Sequence, residues 1–340
     1  MKREKIQDIA DTLKVSRVSV WKVLNDKEGV SEDMKKRVLD YVSQIDINLT
    51  NHSVQDNLTL VQKQTLVSVV VSRPETSAFW VKIIHQLSEE FSSRGIGLLY
   101  TYLPDNTPKD YVLPTSLTDG TLEGIIVLNV YNKDLIHKLN DLTIPKVFLD
   151  TITDMPTNEL NGDLILLEGR SCMKEIVSDM IMKGRKRIGF IGDINYAKTN
   201  MERYEGYLSA MENNNIAVQP NFCYTGSMKL RKYTEIIDCF IGELTEMPDA
   251  FACVNDHAAT VLIQLLERRG YRIPTDIFVS GYDNNNEFTY TKNLTTVHVD
   301  NSMLAKRLAR QLRYRIENKE DPYEVILIRS NVIYRDSTSL

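Results

Sequence analysis

The amino-acid sequence predicts an N-terminal domain of helices followed by a larger α/β domain with two lobes and parallel sheets. Apolar residues recur at helical spacing in the first 46 residues, and strand-like and helix-like segments alternate from Leu66 onward. The chain has 340 residues, enough for two or three domains. Hydrophobic residues make up 42% and charged residues 26%, which is typical of a globular protein and not of a disordered chain.

Three short helices are expected in residues 1–46. Apolar residues at helical spacing indicate the first helix, at Ile6, Ile9, Ala10 and Leu13. Ser16 is a suitable N-cap for a second helix that Asn25 can end, and Ser31 is a suitable N-cap for a third. The inner faces of these two helices are predicted to hold Val20, Val23, Leu24, Met34, Val38, Leu39, Val42 and Ile45. Three helices with a tight turn between the first two form a helix-turn-helix.

The outer face of the second helix is predicted to present Arg17, Val18 and Lys22. Arginine and lysine reach guanine acceptors in the major groove of DNA, and valine contacts the methyl group of thymine. Hydroxyl and amide groups at helix ends suit phosphate oxygens, which adds Ser16, Ser19, Asn25 and Ser31 to the predicted DNA contacts. Residues 1–50 hold ten Lys/Arg and nine Asp/Glu, so DNA binding depends on where the bases lie and not on bulk charge. The alternative is a small helical bundle with a solvated, charged face.

The remaining residues, 66–340, are predicted to form parallel sheets covered by helices. The segment TLVSVVVS is typical of a buried strand, and the following AFWVKIIHQLSEEFSSRG is typical of an amphipathic helix ending at Gly95. The same alternation continues through IGLLYTYL, LEGIIVLN and PKVFLD and resumes after residue 171. A stretch of about 275 residues is too long for one small sheet, so we expect two lobes. A ligand would bind beyond the carboxyl ends of the strands, in the cleft between the lobes.

Several stretches carry a resemblance to one known family. IQDIADTLKVSRVSVWKVLNDKEGVSEDMKKRVLDYV resembles the DNA-binding headpiece of the lactose-repressor (LacI/GalR) family of transcriptional regulators. RKRIGFIG, RYEGYLSAM, PDAFACVNDHAATVLIQLLERRGYRIPTDIFVSGYDN and LTTVHVD resemble its sugar-receptor-like core, which is similar to periplasmic binding proteins. The headpiece departs from the family at three positions: Lys14 replaces a turn glycine, Trp21 a serine that usually touches phosphate, and Lys22 an arginine.

The resemblance implies a headpiece at 1–46, a hinge at 47–65 and an effector-binding and dimerisation domain at 66–340. The N-lobe is expected at about 66–164 and 294–322 and the C-lobe at about 165–293 and 323–340. The chain would then cross between the lobes near 165, 294 and 323. Around the first crossing, relatives usually have an Asp-Asn pair and a glycine where this chain has Glu168, Gly169 and Cys172, so a local difference is expected.

The hinge of relatives folds into a short helix on DNA, and its leucine wedges into the minor groove at the operator centre. Leu58, four residues after Val54, is the candidate wedge in this chain. The usual alanine-and-arginine pattern before the leucine is missing, so the alternative is a plain flexible linker.

The resemblance also implies a small-ligand site in the cleft. The matching positions are Ser72, Phe79, Trp80, Asp150, Arg203, Asn255 and Asp283. A carboxylate accepts hydrogen bonds from adjacent hydroxyls, arginine donates in a fixed fork, and an aromatic face covers a sugar ring, so the set suits a sugar.

Structural roles are the alternatives for these residues. Arg203 is then an ordinary charge on a helix surface. Asp283 and Asn255 are turn-forming residues at strand ends, and Phe79 and Trp80 are core aromatics.

The sequence thus predicts a DNA-binding repressor of carbohydrate-utilisation genes, whose affinity for a palindromic operator is controlled by a sugar. A homodimer is expected, because the chain ends at VIYRDSTSL without the leucine heptads of tetrameric relatives. The alternatives are a regulator that depends on a purine, another corepressor or a partner protein, and a cytoplasmic solute-binding protein without a role at DNA.

Catalysis, cofactors and metals are not expected. The sequence has no phosphate-binding loop, HExxH or GxSxG motif, and its five histidines show no i,i+4 pairing. The four cysteines (Cys172, Cys223, Cys239 and Cys253) lack CxxC spacing and are expected to be reduced, mostly buried thiols. The first residues lack the apolar core of a signal peptide, and no apolar run approaches the length of a membrane span, so a cytoplasmic protein is expected.

Overall fold

The computed structural model describes residues 6–24, 27–45, 65–72, 78–108, 110–228, 232–284 and 293–339. The chain divides into two compact units, Met1–Gln64 and Thr65–Leu340. The first unit, called the headpiece below, contains helices α1 (Ile6–Leu13), α2 (Arg17–Leu24) and α3 (Glu32–Ile45).

The ends of these helices follow the predicted capping chemistry. The Ser19 N–H donates to Ser16 Oγ at 3.0 Å, and the Met34 N–H donates to Ser31 Oγ at 3.3 Å. Both predicted N-caps are therefore confirmed. Lys14, in the turn between α1 and α2, has a φ of 53°, the left-handed region that favours glycine.

The headpiece core is small and apolar. Its buried members are Ile9, Ala10, Val20, Val23 and Val38. Leu39 was predicted to lie on the inner stripe of α3, but it is 46% exposed, because one residue beyond Val38 is about 100° further around the helix. The side chains of Val42 and Ile45, together with Asn25, lie outside the described residues.

The N-lobe of the second unit is a parallel sheet in the order β11-β5-β4-β3-β1-β2. Its strands are β1 (Leu66–Val71), β2 (Gly97–Tyr102), β3 (Gly124–Leu128), β4 (Lys146–Leu149), β5 (Asp163–Leu167) and β11 (Val325–Ile328). Helices α4 (Ala78–Ser92), α5 (Lys133–Asn140) and α10 (Asn301–Glu317) cover it. Five-residue runs such as β3 are buried throughout, as expected for strands with helices on both faces.

The C-lobe is a second parallel sheet in the order β7-β6-β8-β9. Its strands are β6 (Ile188–Ile191), β7 (Cys223–Tyr224), β8 (Ala250–Cys253) and β9 (Phe278–Ser280), and its helices are α6 (Arg170–Met182), α7 (Lys198–Asn213), α8 (Tyr233–Glu243) and α9 (Asp256–Arg268). A short antiparallel pair, β10 (Thr296–His298) and β12 (Asn331–Ile333), lies beside it. The predicted α/β architecture with two lobes and parallel sheets is confirmed.

The chain crosses between the lobes later than the sequence suggested. Residues 163–167 and 325–328 pair with each other in the N-lobe sheet, so these strands extend a few residues beyond the crossings expected near 165 and 323. The first crossing follows Leu167 and the last follows Ile328. The middle crossing lies between His298, which bridges to Asp283, and α10, whose Ser302 hydroxyl donates to Gln86 on α4. Strand pairing between distant segments places these boundaries, and local periodicity does not report it.

A buried ion pair holds α10 against the N-lobe sheet. Arg315 is 1% exposed and donates through Nη2 to Asp163 Oδ1 at 2.7 Å. Gln311 donates to the same carboxylate, so the charge of Asp163 is fully partnered.

Two sequence-based expectations concern features outside the fold itself. None of the described helices is long and apolar enough to cross a membrane. All four cysteines are free: Cys172 and Cys253 are buried, Cys223 is half-buried and Cys239 is exposed.

Candidate functional site

Polar residues with unusual backbone geometry lie just past the carboxyl ends of the strands. Asn129 follows β3, Asp150 follows β4 and Asp283 follows β9, with φ values of 53°, 65° and 107°. Residues with side chains rarely adopt positive φ, and such strain clusters at functional sites. These three positions mark the cleft between the lobes.

Arg203 is buried on α7 and is held by three different contacts. Its Nη1 donates to the Val254 carbonyl at 2.7 Å, its Cζ lies 3.6 Å from the centroid of the Tyr282 ring, and its Nη2 lies 3.6 Å from Asp283 Oδ1. The residue is 5% exposed, so the alternative of an ordinary surface charge is wrong. Its Nε is buried and finds no acceptor among the described residues.

Gly169 has no side chain and so leaves space for Arg203. A β carbon at Gly169 would lie 3.0 Å from Arg203 Cγ, closer than side chains tolerate without a shift. A residue with a side chain at position 169 would therefore require Arg203 to shift.

The carboxylate of Asp283 faces Arg203 and keeps 22% of its side chain exposed. Burial raises the pKa of Asp283 to about 6, and the nearby Arg203 charge acts in the opposite direction. The pair combines a partly open acceptor with a buried donor, an arrangement that suits a ligand with several hydroxyl groups.

Asp150 is held between the two lobes. It follows β4 of the N-lobe and accepts hydrogen bonds from the Thr199 N–H at 3.3 Å and from the Thr199 hydroxyl, in the first turn of α7 in the C-lobe. The Thr151 N–H and the Tyr131 hydroxyl donate to it at 2.8 and 3.2 Å. Burial raises its pKa, while these hydrogen bonds lower it. The predicted ligand carboxylate is thus engaged with the opposite lobe.

A tyrosine pair continues this contact. The rings of Tyr131 in the N-lobe and Tyr196 in the C-lobe have centroids 4.4 Å apart, and the Tyr196 hydroxyl donates to Asn129 Oδ1 at 3.4 Å. We call Asn129, Tyr131, Asp150, Tyr196 and Thr199 the inter-lobe clasp. Sequence reasoning found only Asp150 of this group; Asn129 directly after the apolar strand GIIVL was the available signal for a second member.

The other predicted ligand residues lie in different settings. Asn255 Oδ1 accepts the Ala258 N–H at 2.8 Å and caps α9, a structural role that differs from the turn considered as its alternative. Phe79 is 8% exposed within the hydrophobic core, with Trp80 edge-on to it and partly buried. Ser72 is 1% exposed, and its Oγ has no partner among the described residues.

Glu168, where relatives have the Asp-Asn pair, stabilises the first crossing. Its carboxylate accepts the N–H groups of Ser171 at 2.6 Å and Cys172 at 3.2 Å, at the start of α6. Burial raises the pKa of Glu168, but these hydrogen bonds lower it overall. The Tyr282 hydroxyl, whose ring lies against Arg203, donates to the Glu168 carbonyl.

The predicted DNA-reading residues lie on α2 with unequal exposure. Arg17 is exposed and Val18 is 62% exposed, whereas Lys22 is half-buried beside Gly29. The hydroxyls of Ser16 and Ser19 lie 2.8 Å apart. Ser31 caps α3, and Asn25 and Leu58 lie outside the described residues.

The chain is similar in sequence to known proteins over nearly its whole length. A family model described as a periplasmic binding protein-like domain matches residues 177–338. The HTH-type transcriptional repressor PurR of Mannheimia succiniciproducens is 27% identical over 335 residues, which are 98% of this chain and 98% of that protein.

Two solved structures have the same fold. The transcriptional regulator CelR in complex with cellobiose matches with a TM-score of 0.70 and 17% identity, over 98% of this chain and 100% of that chain. The lac repressor dimer bound to operator and the anti-inducer ONPF matches with a TM-score of 0.68 and 18% identity, over 99% of each chain. The helix-turn-helix unit, the two-lobed core and the match to a curated repressor over 98% of the chain make this protein similar to transcriptional repressors of the LacI/GalR family.

Proposed function

We propose that this protein is a transcriptional repressor of carbohydrate-utilisation genes whose affinity for operator DNA is controlled by a sugar in the inter-lobe cleft. The observation that carries the proposal is the Arg203–Asp283 pair, a buried arginine beside a partly exposed carboxylate past the strand ends, in a chain that also has a helix-turn-helix headpiece. A sugar offers hydroxyls to the partly exposed carboxylate of Asp283, which lies beside the buried Arg203 guanidinium. The cellobiose complex of the regulator CelR supports this ligand class.

The inter-lobe clasp supplies a route from ligand to DNA. Asp150 and Thr199 join the lobes at the same face as Arg203, so a ligand that binds between them shifts how the lobes are held together. An effector acts only if it binds the two lobe arrangements with different affinity. Two headpieces of a homodimer would occupy half-sites about one helical turn apart on a palindromic operator.

A direct test is fluorescence anisotropy with DNA from upstream of the protein's own gene. We expect specific binding that one compound shifts about tenfold, about 1.4 kcal/mol of coupling, in a panel of monosaccharides, disaccharides and sugar phosphates. Arg203→Ala should bind the same DNA without responding to that compound. Specific DNA binding that no compound in the panel shifts would contradict the sugar, and absence of specific DNA binding would contradict the repressor.

A purine corepressor is the second candidate, because the Mannheimia succiniciproducens relative named PurR matches 98% of the chain. A corepressor tightens operator binding, whereas an inducer loosens it. Purines belong in the same panel, and tighter binding with a purine would favour this candidate.

A further inference from the structure

The face of α2 that points away from the headpiece core carries two large apolar side chains. Val18 is 62% exposed and Trp21 is 41% exposed. They are three residues apart in one helix, so they lie on the same side of it. Val20 and Val23, at 0% and 4% exposed, form the buried side. Trp21 is the one tryptophan of the headpiece, and 41% of it stays exposed although a small core gains from every apolar group that it buries.

We propose that Trp21, together with Val18, is a specificity-determining DNA contact that recognises thymine methyl groups in the major groove. We call these two residues the α2 patch. The proposal rests on the proposed function, because it takes duplex DNA as the partner of the headpiece.

The residues around the α2 patch limit the kind of chemical group that the patch can contact. Arg17 is exposed, but Lys22 is half-buried and lies so close to Gly29 that a β carbon there would be 2.9 Å from Lys22 Nζ. The hydroxyls of Ser16 and Ser19 bond to each other. The middle of the exposed face therefore offers apolar surface and few free donors. The apolar group that base pairs present in the major groove is the C5-methyl of thymine.

Contact with a deoxyribose of the DNA backbone is the competing role for an exposed indole. Such a contact would strengthen binding to every sequence equally, because the sugar carries no sequence information. Recognition of a methyl group instead depends on particular thymines. Removing that methyl group, by replacing thymine with uracil, separates the two roles.

The experiment starts from the duplex that the full-length protein selects from a random library. Each thymine is replaced in turn by deoxyuridine, and affinity is measured by anisotropy for the wild type, Trp21→Ser and Trp21→Phe. We expect one or two replacements to weaken wild-type binding about fourfold, the value of one buried methyl group. Trp21→Ser should bind the thymine duplex more weakly and lose the uracil effect at the thymine that Trp21 contacts, while an effect at a thymine contacted by Val18 remains. Trp21→Phe should recover part of the discrimination that Trp21→Ser loses.

Leu39→Ser is the matched control, because Leu39 is also an apolar headpiece residue, 46% exposed, but on α3. It should leave both the affinity and the uracil effect unchanged. Circular dichroism of each variant checks that α1–α3 stay folded. If uracil lowers affinity equally in the wild type and in Trp21→Ser, or nowhere, the proposal is overturned while the repressor function stands. If the wild type selects no duplex at all, the proposed function itself has failed.

Tryptophan fluorescence gives a second readout that does not depend on affinity. The chain has two tryptophans, so the difference between the wild type and Trp21→Phe reports Trp21 alone. The selected duplex should shield Trp21 from acrylamide quenching. A Trp21 signal that stays fully quenchable in the formed complex would exclude it from the DNA interface.

Discussion

The exposed face of α2 and the inter-lobe cleft differ in how far their candidate functional side chains are buried. The α2 patch leaves Val18 and Trp21 at 62% and 41% exposure, whereas the cleft holds Arg203 and Asp150 at 5% and 7%. An exposed apolar side chain costs a folded protein little, but a buried charge is tolerated only when it is paired or hydrogen-bonded. Substitutions in the α2 patch should therefore alter DNA binding alone, and substitutions in the cleft should alter ligand response and stability together.

The largest effect is expected from Arg203→Ala. It removes the donor beside Asp283, the hydrogen bond to Val254 and the stacking on Tyr282. We expect ligand affinity to fall at least about 100-fold, or about 2.7 kcal/mol. The free energy of unfolding should fall by about 2–3 kcal/mol, as for other charged hydrogen bonds. Isothermal titration calorimetry and urea unfolding measure the two losses.

Arg170→Ala is the control for that variant. Arg170 is an exposed arginine near the same crossing and is paired with Glu205 on the surface. Its loss should change neither the free energy of ligand binding nor the free energy of unfolding by more than about 0.5 kcal/mol. Equal effects of the two variants would remove the distinction between cleft and surface.

Thr199→Val should have the next largest effect. The change keeps the shape of the side chain but deletes its hydroxyl bond to Asp150, one of the links that join the lobes. We expect a loss of about 1–2 kcal/mol in stability and a shift toward separated lobes, seen as a larger radius of gyration in small-angle X-ray scattering.

Thr260→Val tests whether this shift is specific. Thr260 is also buried, and its hydroxyl donates at 2.7 Å to the backbone carbonyl of Asp256 within one helix of the C-lobe. Its loss should destabilise the protein without changing lobe separation. If both variants expand equally, the inter-lobe clasp does not hold the lobes together.

The pH dependence of ligand binding is expected to be smaller. Burial raises the pKa of Asp283 to about 6, so the carboxylate proposed to accept sugar hydroxyls loses its charge below that pH. We expect affinity to fall about tenfold between pH 7 and pH 5 and to be flat in Asp283→Asn. A profile that is equally steep in Asp283→Asn would assign the titration to another group.

The same group has the opposite effect on stability. The pKa of Asp283 in the folded chain lies above the unfolded value of about 3.9, so the folded state binds more protons between pH 4 and 6. The contribution of Asp283 to stability therefore falls as the pH rises through that window.

The smallest expected effect lies in the headpiece turn. Lys14 has a φ of 53°, so Lys14→Gly should relieve strain and stabilise α1 and α2 by up to about 1 kcal/mol. Slower hydrogen exchange of the α1 and α2 amides in the full chain measures it. Lys27→Gly, which replaces an exposed lysine without positive φ, should give no gain, and a similar gain there would mean that strain at Lys14 is not the cause.

The predictions from sequence succeeded where a few neighbouring residues decide the outcome. Ser16 and Ser31 cap their helices because a hydroxyl reaches an N–H three residues away. The resemblance implied that Arg203 and Asp283 are ligand residues; the structure brings them to 3.6 Å, and their ligand role stays a prediction. The prediction that Leu39 is buried was wrong because the small headpiece core extends over less of α3 than the apolar pattern suggested.

Distant pairings were beyond the reach of the sequence pattern. Segments 163–167 and 325–328 read as ordinary apolar strands, and nothing local assigns them to one sheet or the other. Asp150 was identified as a cleft residue, but its engagement by Thr199 depends on how the two lobes meet. Tyr131 and Tyr196 are 65 positions apart in the chain, and no periodicity connects them.

Helix caps, apolar stripes and strand alternation follow from contacts within a few residues, which is why the fold class and the helix-turn-helix could be read from the chain. The lobe boundaries, the contacts that occupy Asp150 and the exposure of Trp21 depend on segments that are far apart in sequence. Those segments meet only when hydrophobic burial and strand pairing assemble the chain, so their consequences exist in the folded molecule alone.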